Sequence, residues 1–259
     1  MYSDSMAERI IKGIIFDKDG TLFNYAKVWG PVAKRCADMI QITFNIKSVK
    51  REKVREELFK IIGIDDKGNT FPDGIVFNHE RKIRAAWKLL CYCMKYSINP
   101  YKFQKILFAI LRDPADGIIP ELKKMDFTQV RELFSALIAK GITIGVVTND
   151  TTVSAKTCLK CIGIENDVSF LRTKESNCRR KPNSEAIKQF SLTFGIPANE
   201  IAVVGDAPAD MKFARNGKVA YKVALLTGNG DEKSLSSLAD VVYPDITYLK
   251  GDKVLFPEC

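Results

Sequence analysis

The segment from Ile10 to Asn24, IIKGIIFDKDGTLFN, constrains the fold of this chain more than any other stretch. Its apolar run stops abruptly at Asp17 and Asp19, and Gly20 and Thr21 follow at once. A short apolar run closed by turn residues is typical of a buried strand in a parallel sheet. Ligands of open α/β sheets bind at the carboxyl ends of strands, so the two carboxylates are candidate site residues. An ordinary strand followed by an Asp-Gly turn is the alternative interpretation.

Composition and charge indicate which kinds of molecule the chain could bind. Of the 259 residues, 46% are hydrophobic and 27% are charged, as is usual for globular proteins. The net charge of +9 favours anionic ligands, and nucleic acid or an acidic membrane must be considered. The densest charged run, residues 47–60, interleaves Glu with Lys at helical spacing, which indicates a solvated helix face. Net charge alone is therefore weak support for a nucleic-acid or membrane partner, and we expect neither.

The seven cysteines indicate the cellular compartment. Their number is odd, the N-terminal residues show no secretory pattern, and no apolar run reaches 18 residues. These features predict a cytoplasmic protein. Cys158 and Cys161 form a CxxC pair, but a zinc site would need a second pair, and Cys91 and Cys93 have the wrong spacing. We expect all seven cysteines to pack in the core.

Two different patterns follow the first strand. Four helical patterns with almost no strand signal occupy residues 28–44, 48–62, 80–96 and 100–112. The third places Ile83, Ala86, Trp87, Leu90 and Met94 on one apolar face. From residue 127 onward, helices alternate with strands at about 142–147, 168–171, 201–204, 223–226 and 241–242, which predicts a parallel sheet covered on both faces. The sequence thus predicts a Rossmann-like α/β core of residues 1–23 and 126–259, with an all-helical domain of residues 24–125 inserted after the first strand.

Polar residues suited to phosphoryl transfer follow the clear strands or precede a predicted helix. In chain order they are Asp17 and Asp19, Thr148 and Asn149, Lys181, and Asp206 and Asp210. Each pattern alone has an ordinary explanation, as a helix N-cap, a solvated loop or a turn. Their order and their placement relative to the predicted elements favour a single site.

This arrangement resembles the haloacid dehalogenase (HAD) superfamily of phosphohydrolases, and within it the phosphoglycolate phosphatase-like branch. The resemblance covers residues 10–23 and 126–245, and the helical insert resembles the cap that many members carry there. It implies a Mg²⁺-dependent phosphatase that hydrolyses a small phosphomonoester, phosphoglycolate-like or a sugar phosphate, through an aspartyl-phosphate intermediate.

The resemblance also implies roles for single residues. Asp17 is the expected nucleophile, and Asp19 the expected general acid and then general base. The expected metal ligands are Asp17, Asp19 through its backbone carbonyl, Asp206, and Asp210 as a ligand or as a partner of one. The groups expected to contact the phosphoryl oxygens are Thr148, Asn149, Lys181 and the backbone turn at Gly20.

Two other functions stay open from the sequence. One is a phosphomutase of the same superfamily, and the other is a non-catalytic binding protein on the same fold. His79 is the only histidine, so a Ser-His triad and a His-rich metal site are unavailable. We expect substrate specificity to lie in the loop 63–78 of the helical insert.

Overall fold

The computed structural model of the protein describes residues 10–71, 74, 82–112 and 117–257. Their internal contacts divide the chain into two compact units. One unit includes the chain up to Asn24 and resumes at Asp126, and the other comprises Tyr25–Met125. His79 and several residues of the loop 63–78 lie outside the described residues, so the expectation for that loop stays a prediction.

The first unit is built on a six-stranded parallel sheet. Its strands are β1 (Gly13–Phe16), β2 (Thr143–Val147), β3 (Phe170–Arg172), β4 (Ile201–Gly205), β5 (Tyr221–Leu225) and β6 (Val241–Tyr243). Their order in the sheet is β3-β2-β1-β4-β5-β6. In the register, Ile14 of β1 lies between Ile144 of β2 and Ala202 of β4. Strand order therefore reverses direction between β1 and β4, the position where open α/β sheets bind ligands.

Helices complete both units. In chain order they are α1 (Tyr25–Thr43), α2 (Ser48–Ile62), α3 (Lys82–Lys95), α4 (Pro100–Arg112), α5 (Ile119–Leu122), α6 (Thr128–Ala139), α7 (Thr152–Ile162), α8 (Glu185–Phe194), α9 (Pro208–Gly217) and α10 (Glu232–Ser236). The predicted fold class, a Rossmann-like parallel α/β sheet, is confirmed. The weakest predicted strand, at 168–171, is observed at Phe170–Arg172. Among the described helices, none has the length and apolar character needed to cross a bilayer.

Phe190 of α8 is the large side chain around which part of the sheet is packed. It is fully buried, and its ring meets those of Phe170 and Phe194 at centroid distances of 5.3 and 4.9 Å. Two strand glycines make room for it: a Cβ atom on Gly13 would lie 2.6 Å from this ring, and one on Gly145 would lie 3.0 Å from it. The absence of side chains in β1 and β2 at these points thus allows α8 to approach the sheet closely.

The apolar face predicted for α3 is exposed where the structure describes it. Trp87 is 67% exposed and Met94 is 73% exposed, while the side chain of Ile83 lies outside the described residues. The helix instead buries Tyr92 and Cys93. The Tyr92 hydroxyl donates to the Val54 carbonyl at 3.0 Å, so α2 meets the other side of the helix. Because α3 carries apolar residues on both sides, periodicity alone did not reveal which side is covered.

The cysteines follow the prediction only in part. Cys36, Cys93 and Cys158 are buried, while Cys161 and Cys178 are half-buried. Cys91 is exposed, so the expectation of core packing is wrong for this residue. It lies on α3 away from the side that buries Tyr92 and Cys93. Cys259 lies outside the described residues.

We expect Phe190→Ala to lower the free energy of unfolding by about 3–5 kcal/mol, because it leaves a cavity against β1 and β2. Leu192→Ala is the matched control on the same helix, since Leu192 is 84% exposed, and its effect should stay within about 0.5 kcal/mol. Urea unfolding followed by circular dichroism measures both. Similar losses for the two variants would contradict the packing described here.

Candidate active site

Three carboxylates meet at the carboxyl end of the central strands. Asp17 directly follows β1, Asp206 directly follows β4, and Asp210 lies in the first turn of α9. Because β1 and β4 are parallel neighbours, their ends place these side chains together. One oxygen of each carboxylate lies within 4.8 Å of the others. We call these three residues the acidic cluster.

Asp210 is fixed by the start of α9. Its Oδ2 accepts a hydrogen bond from the Ala207 N–H at 3.1 Å, which satisfies a donor that the helix leaves unpaired. Gly205 permits this approach, since a Cβ atom there would lie 2.4 Å from Asp210 Cβ. The end of β4 and the beginning of α9 thus hold Asp206 and Asp210 at the same point.

Asp206 is held by the turn after β1 and by a segment after β5. The Thr21 hydroxyl donates to its Oδ1 at 3.2 Å, and the Asn229 N–H donates to its Oδ2 at 2.9 Å. A Cβ atom on Gly228 would lie 1.7 Å from the same Oδ2, so only glycine fits there. Gly20, which has a φ of +86°, also lies against Asp206, since a Cβ atom there would lie 2.6 Å from its Cγ.

The segment 227–230, which reads TGNG, was missed by the sequence analysis. The Thr227 hydroxyl donates to the Gly20 carbonyl at 2.6 Å and so joins this segment to the turn after β1. The available signal was its position, because small and polar residues directly follow the strand β5 as they follow β1 and β4.

Lys181 places a positive charge next to the acidic cluster. Its ammonium forms an ion pair with Asp17 and another with Asp210, the latter at 2.6 Å. Lys181 lies in the loop before α8, which begins at Glu185, and its side chain is nearly buried. Although burial opposes the charged form, Asp17 and Asp210 raise the pKa of Lys181 above its usual range.

Two carboxyl groups of the acidic cluster, those of Asp17 and Asp206, resist ionisation. The pKa of Asp17 is raised to about 7, chiefly by burial; Lys181 lowers it, and the charges of Asp210 and Asp19 add to the rise. Burial also raises the pKa of Asp206 well above its usual range, and the charges of Asp17 and Asp210 add to this effect. Three like charges with one ammonium among them therefore leave an excess of negative charge.

Thr148 and Asn149 lie at the end of β2. They line one pocket together with Lys181 and the basic residues Arg179 and Arg180. Thr148 is buried, and its hydroxyl accepts a hydrogen bond from the Asp150 N–H at 3.2 Å.

The interpretation of Thr148 and Asn149 as the cap of the following helix is wrong. Thr151 is the N-cap of α7, and its side chain accepts from the Ser154 N–H at 3.1 Å. Thr148 and Asn149 precede the cap and lie beside the pocket instead.

Asp19 has a different partner from Asp17, although only one residue separates them. Its carboxylate lies 2.7 Å from the ammonium of Lys18, which also lies 3.1 Å from Asp150. The side chain of Lys18 is completely buried. Neither Lys18 nor Asp150 was among the predicted site residues, although a lysine between two acidic residues was an available signal.

The acidic cluster fits a hard divalent cation. Carboxylate oxygens are the ligands that Mg²⁺ prefers, and the buried oxygens of Asp206 and Asp210 lie with that of Asp17 within the span of one ion. The excess negative charge described above favours the binding of such an ion, because buried charges need a partner of opposite sign. The carboxylate of Asp19 is directed to Lys18, so the structure does not bring its side chain into this group.

Comparison with known proteins agrees with this geometry. The sequence model of the haloacid dehalogenase-like hydrolase family matches residues 11–218. A phosphoglycolate phosphatase of Rhodospirillum rubrum is 29% identical over 126 residues, and the match covers 49% of this chain and 52% of that protein. The chain therefore spans about half the length of that relative. The phosphoglycolate phosphatase of Escherichia coli K12 is 24% identical over 240 residues, which cover 92% of this chain and 91% of that protein.

Solved structures share the fold. A predicted phosphoglycolate phosphatase from Haemophilus somnus 129PT has a TM-score of 0.62 and 20% sequence identity, and the match covers 95% of this chain and 99% of that one. A HAD-superfamily hydrolase of subfamily IA from Geobacter sulfurreducens PCA has a TM-score of 0.61 and 18% identity, and the match covers 93% and 95% of the two chains. With most of the chain matched by one family and the acidic cluster at the expected strand ends, the protein belongs to the haloacid dehalogenase-like hydrolases.

Proposed function

We propose that this protein is a Mg²⁺-dependent phosphatase that hydrolyses a small phosphomonoester through an aspartyl-phosphate on Asp17. One observation carries the proposal: the acidic cluster and Lys181 meet where the strand order reverses, beside the pocket lined by Thr148 and Asn149. That arrangement provides a nucleophile, cation ligands and phosphate-binding donors within one small volume.

Asp17 is the best candidate for the nucleophile. It follows the central strand β1, and the ammonium of Lys181 holds its carboxylate in place. A phosphomonoester is dianionic and repels a carboxylate, so positive charge must lie near both groups before attack. Lys181 supplies one such charge, and an ammonium between two carboxylates is well placed to contact a phosphoryl oxygen as well.

The residues that would hold Mg²⁺ are Asp17, Asp206 and Asp210. We propose the backbone carbonyl of Asp19 as a further ligand. When bound, the ion supplies the positive charge that screens the attack and stabilises the transferring phosphoryl group. The hydrogen bonds from Thr21 and Asn229 to Asp206 fix that ligand before any ion arrives. A fixed ligand reduces the reorganisation required on binding.

Two steps complete the proposed reaction. First, an oxygen of Asp17 bonds to phosphorus, the bond to the substrate oxygen breaks, and Asp19 gives its proton to the departing alcohol. Second, water bonds to phosphorus, its proton passes to Asp19, and the bond between Asp17 and phosphorus breaks. Asp19 suits this role because its carboxylate lies outside the acidic cluster, so proton transfer does not compete with metal binding.

The proposed substrate is a small phosphomonoester, either phosphoglycolate-like or a sugar phosphate. Its phosphoryl oxygens would contact Thr148, Asn149, Lys181 and the backbone turn at Gly20. The net charge of +9 and the arginines beside the pocket favour an anionic substrate. Two relatives named phosphoglycolate phosphatase support this class of substrate.

We expect Asp17→Asn to abolish phosphate release, with a loss of more than about 10³-fold, because the amide is a poor nucleophile. Phosphate release is measured from phosphoglycolate, sugar phosphates and nucleotides, with Mg²⁺ or with EDTA. Asp240→Asn, at a surface ion pair with Lys222, is the matched control and should keep wild-type activity. Release that persists in EDTA or in Asp17→Asn contradicts the proposal. Transfer of phosphate to a second position of a sugar phosphate would instead indicate a mutase.

Mg²⁺ should stabilise the protein more at high pH than at low pH. The pKa of Asp17 is about 7 in the folded protein, above its ordinary value of 3.8. The folded state thus binds more protons than the unfolded state, and the metal-free protein loses stability as the pH rises through about 7. Mg²⁺ binds the deprotonated cluster and offsets that loss, so the Mg²⁺-induced rise in Tm should be larger at about pH 8 than at about pH 5.5.

Thermal unfolding at the two pH values, with and without Mg²⁺, measures this difference. Asp206→Asn removes a ligand and should reduce the Mg²⁺ effect at both values. An equal rise in Tm at the two pH values in the wild type would show that the ion binds elsewhere.

A further inference from the structure

Lys18 is a completely buried charged residue that the proposed reaction does not use. It stands between Asp17 and Asp19 in the chain, and its side chain is 0% exposed. A lysine is almost never fully buried without a charged partner, because removal of its ammonium from water is costly. Its position beside the site and its burial together require an explanation.

The ammonium of Lys18 joins two carboxylates from different parts of the chain. It lies 2.7 Å from Oδ2 of Asp19 and 3.1 Å from Oδ2 of Asp150. The ring of Phe23, 5.5 Å away, covers it on another side. Lys18 therefore connects the turn after β1 to the loop after β2.

Asp150 is itself held firmly in place. Its Oδ1 accepts from the Thr151 N–H at 2.7 Å, and its carbonyl accepts from the Lys174 N–H at 2.9 Å. Its own N–H donates to the hydroxyl of Thr148. The position of Asp150 is thus set by the loop that carries Thr148, and through Lys18 that loop constrains Asp19.

We propose that Lys18 is a positioning residue, which holds the carboxylate of Asp19 in the orientation needed for proton transfer to the leaving oxygen. The inference rests on the proposed function, because it assigns Lys18 a part in that reaction. Asp150 anchors the ammonium of Lys18, and Lys18 in turn holds Oδ2 of Asp19. A misplacement of about 1 Å can cost about 10²-fold in rate, so a fixed orientation has a measurable effect.

The test compares substrates that differ in their need for a general acid. An alkoxide is a poor leaving group and needs a proton, whereas p-nitrophenolate leaves without one. In Lys18→Met, which keeps the length and removes the charge, kcat/KM should fall by about 10²-fold for an alkyl phosphate. For p-nitrophenyl phosphate it should change by less than about 5-fold, because kcat/KM reports the first transfer only. The alkyl phosphate is the best substrate among phosphoglycolate and the sugar phosphates.

A second variant separates positioning from charge balance. Lys18→Met leaves Asp150 without its buried partner, so the double variant Lys18→Met/Asp150→Asn removes that unpaired charge as well and protects folding. The double variant should show the same selective loss for alkyl phosphates. Lys222→Met, at the surface ion pair with Asp240, is the matched control and should leave both substrates unaffected.

The outcomes distinguish the inference from the function on which it rests. Equal losses for both substrates, or wild-type hydrolysis of the alkyl phosphate by the double variant, would overturn the positioning role while the phosphatase stands. A wild-type protein that releases phosphate from neither compound would overturn the proposed function and the inference with it.

Discussion

Repulsion among the carboxylates of Asp17, Asp206 and Asp210 governs the arrangement of this site. Two like charges within 4.8 Å repel by roughly 3–4 kcal/mol at an effective dielectric constant of about 20. The fold nevertheless holds all three together, through the ends of β1 and β4 and the first turn of α9. The three carboxylates therefore favour binding of positive charge. The single ammonium of Lys181 neutralises only part of their negative charge.

The neighbouring carboxylates of Asp17 and Asp19 have different surroundings. Asp17 shares Lys181 with the acidic cluster, whereas Asp19 shares Lys18 with Asp150. Two buried ammonium groups thus divide the acidic residues into two sets, one paired with Lys181 and the other with Lys18. The separation follows from contacts made by residues far apart in the chain.

The sequence was most informative where local chemistry and strand order coincide. An apolar run that ends in Asp17, and a second that ends in Asp206, sufficed to predict a parallel sheet with a site at its carboxyl edge. The sequence was uninformative about features that depend on contacts between distant parts of the chain. Periodicity showed an apolar face of α3 but could not show that α2 covers the opposite side, which leaves Trp87 and Cys91 exposed. The approach of Gly228 to Asp206 depends on the fold of a segment with no strong local pattern, and it became visible only in three dimensions.

We propose that Asp17 accepts a phosphoryl group at a site completed by Mg²⁺. Beryllium trifluoride tests it without knowledge of the substrate, because this anion bonds to a carboxylate oxygen and imitates an aspartyl-phosphate. Fluorine NMR of the protein with beryllium fluoride, with and without Mg²⁺, detects the bound anion directly. We expect a bound signal that requires Mg²⁺ and disappears in Asp17→Asn. A signal that persists without Mg²⁺ or in that variant, or no bound signal in the folded wild-type protein with Mg²⁺, would contradict it.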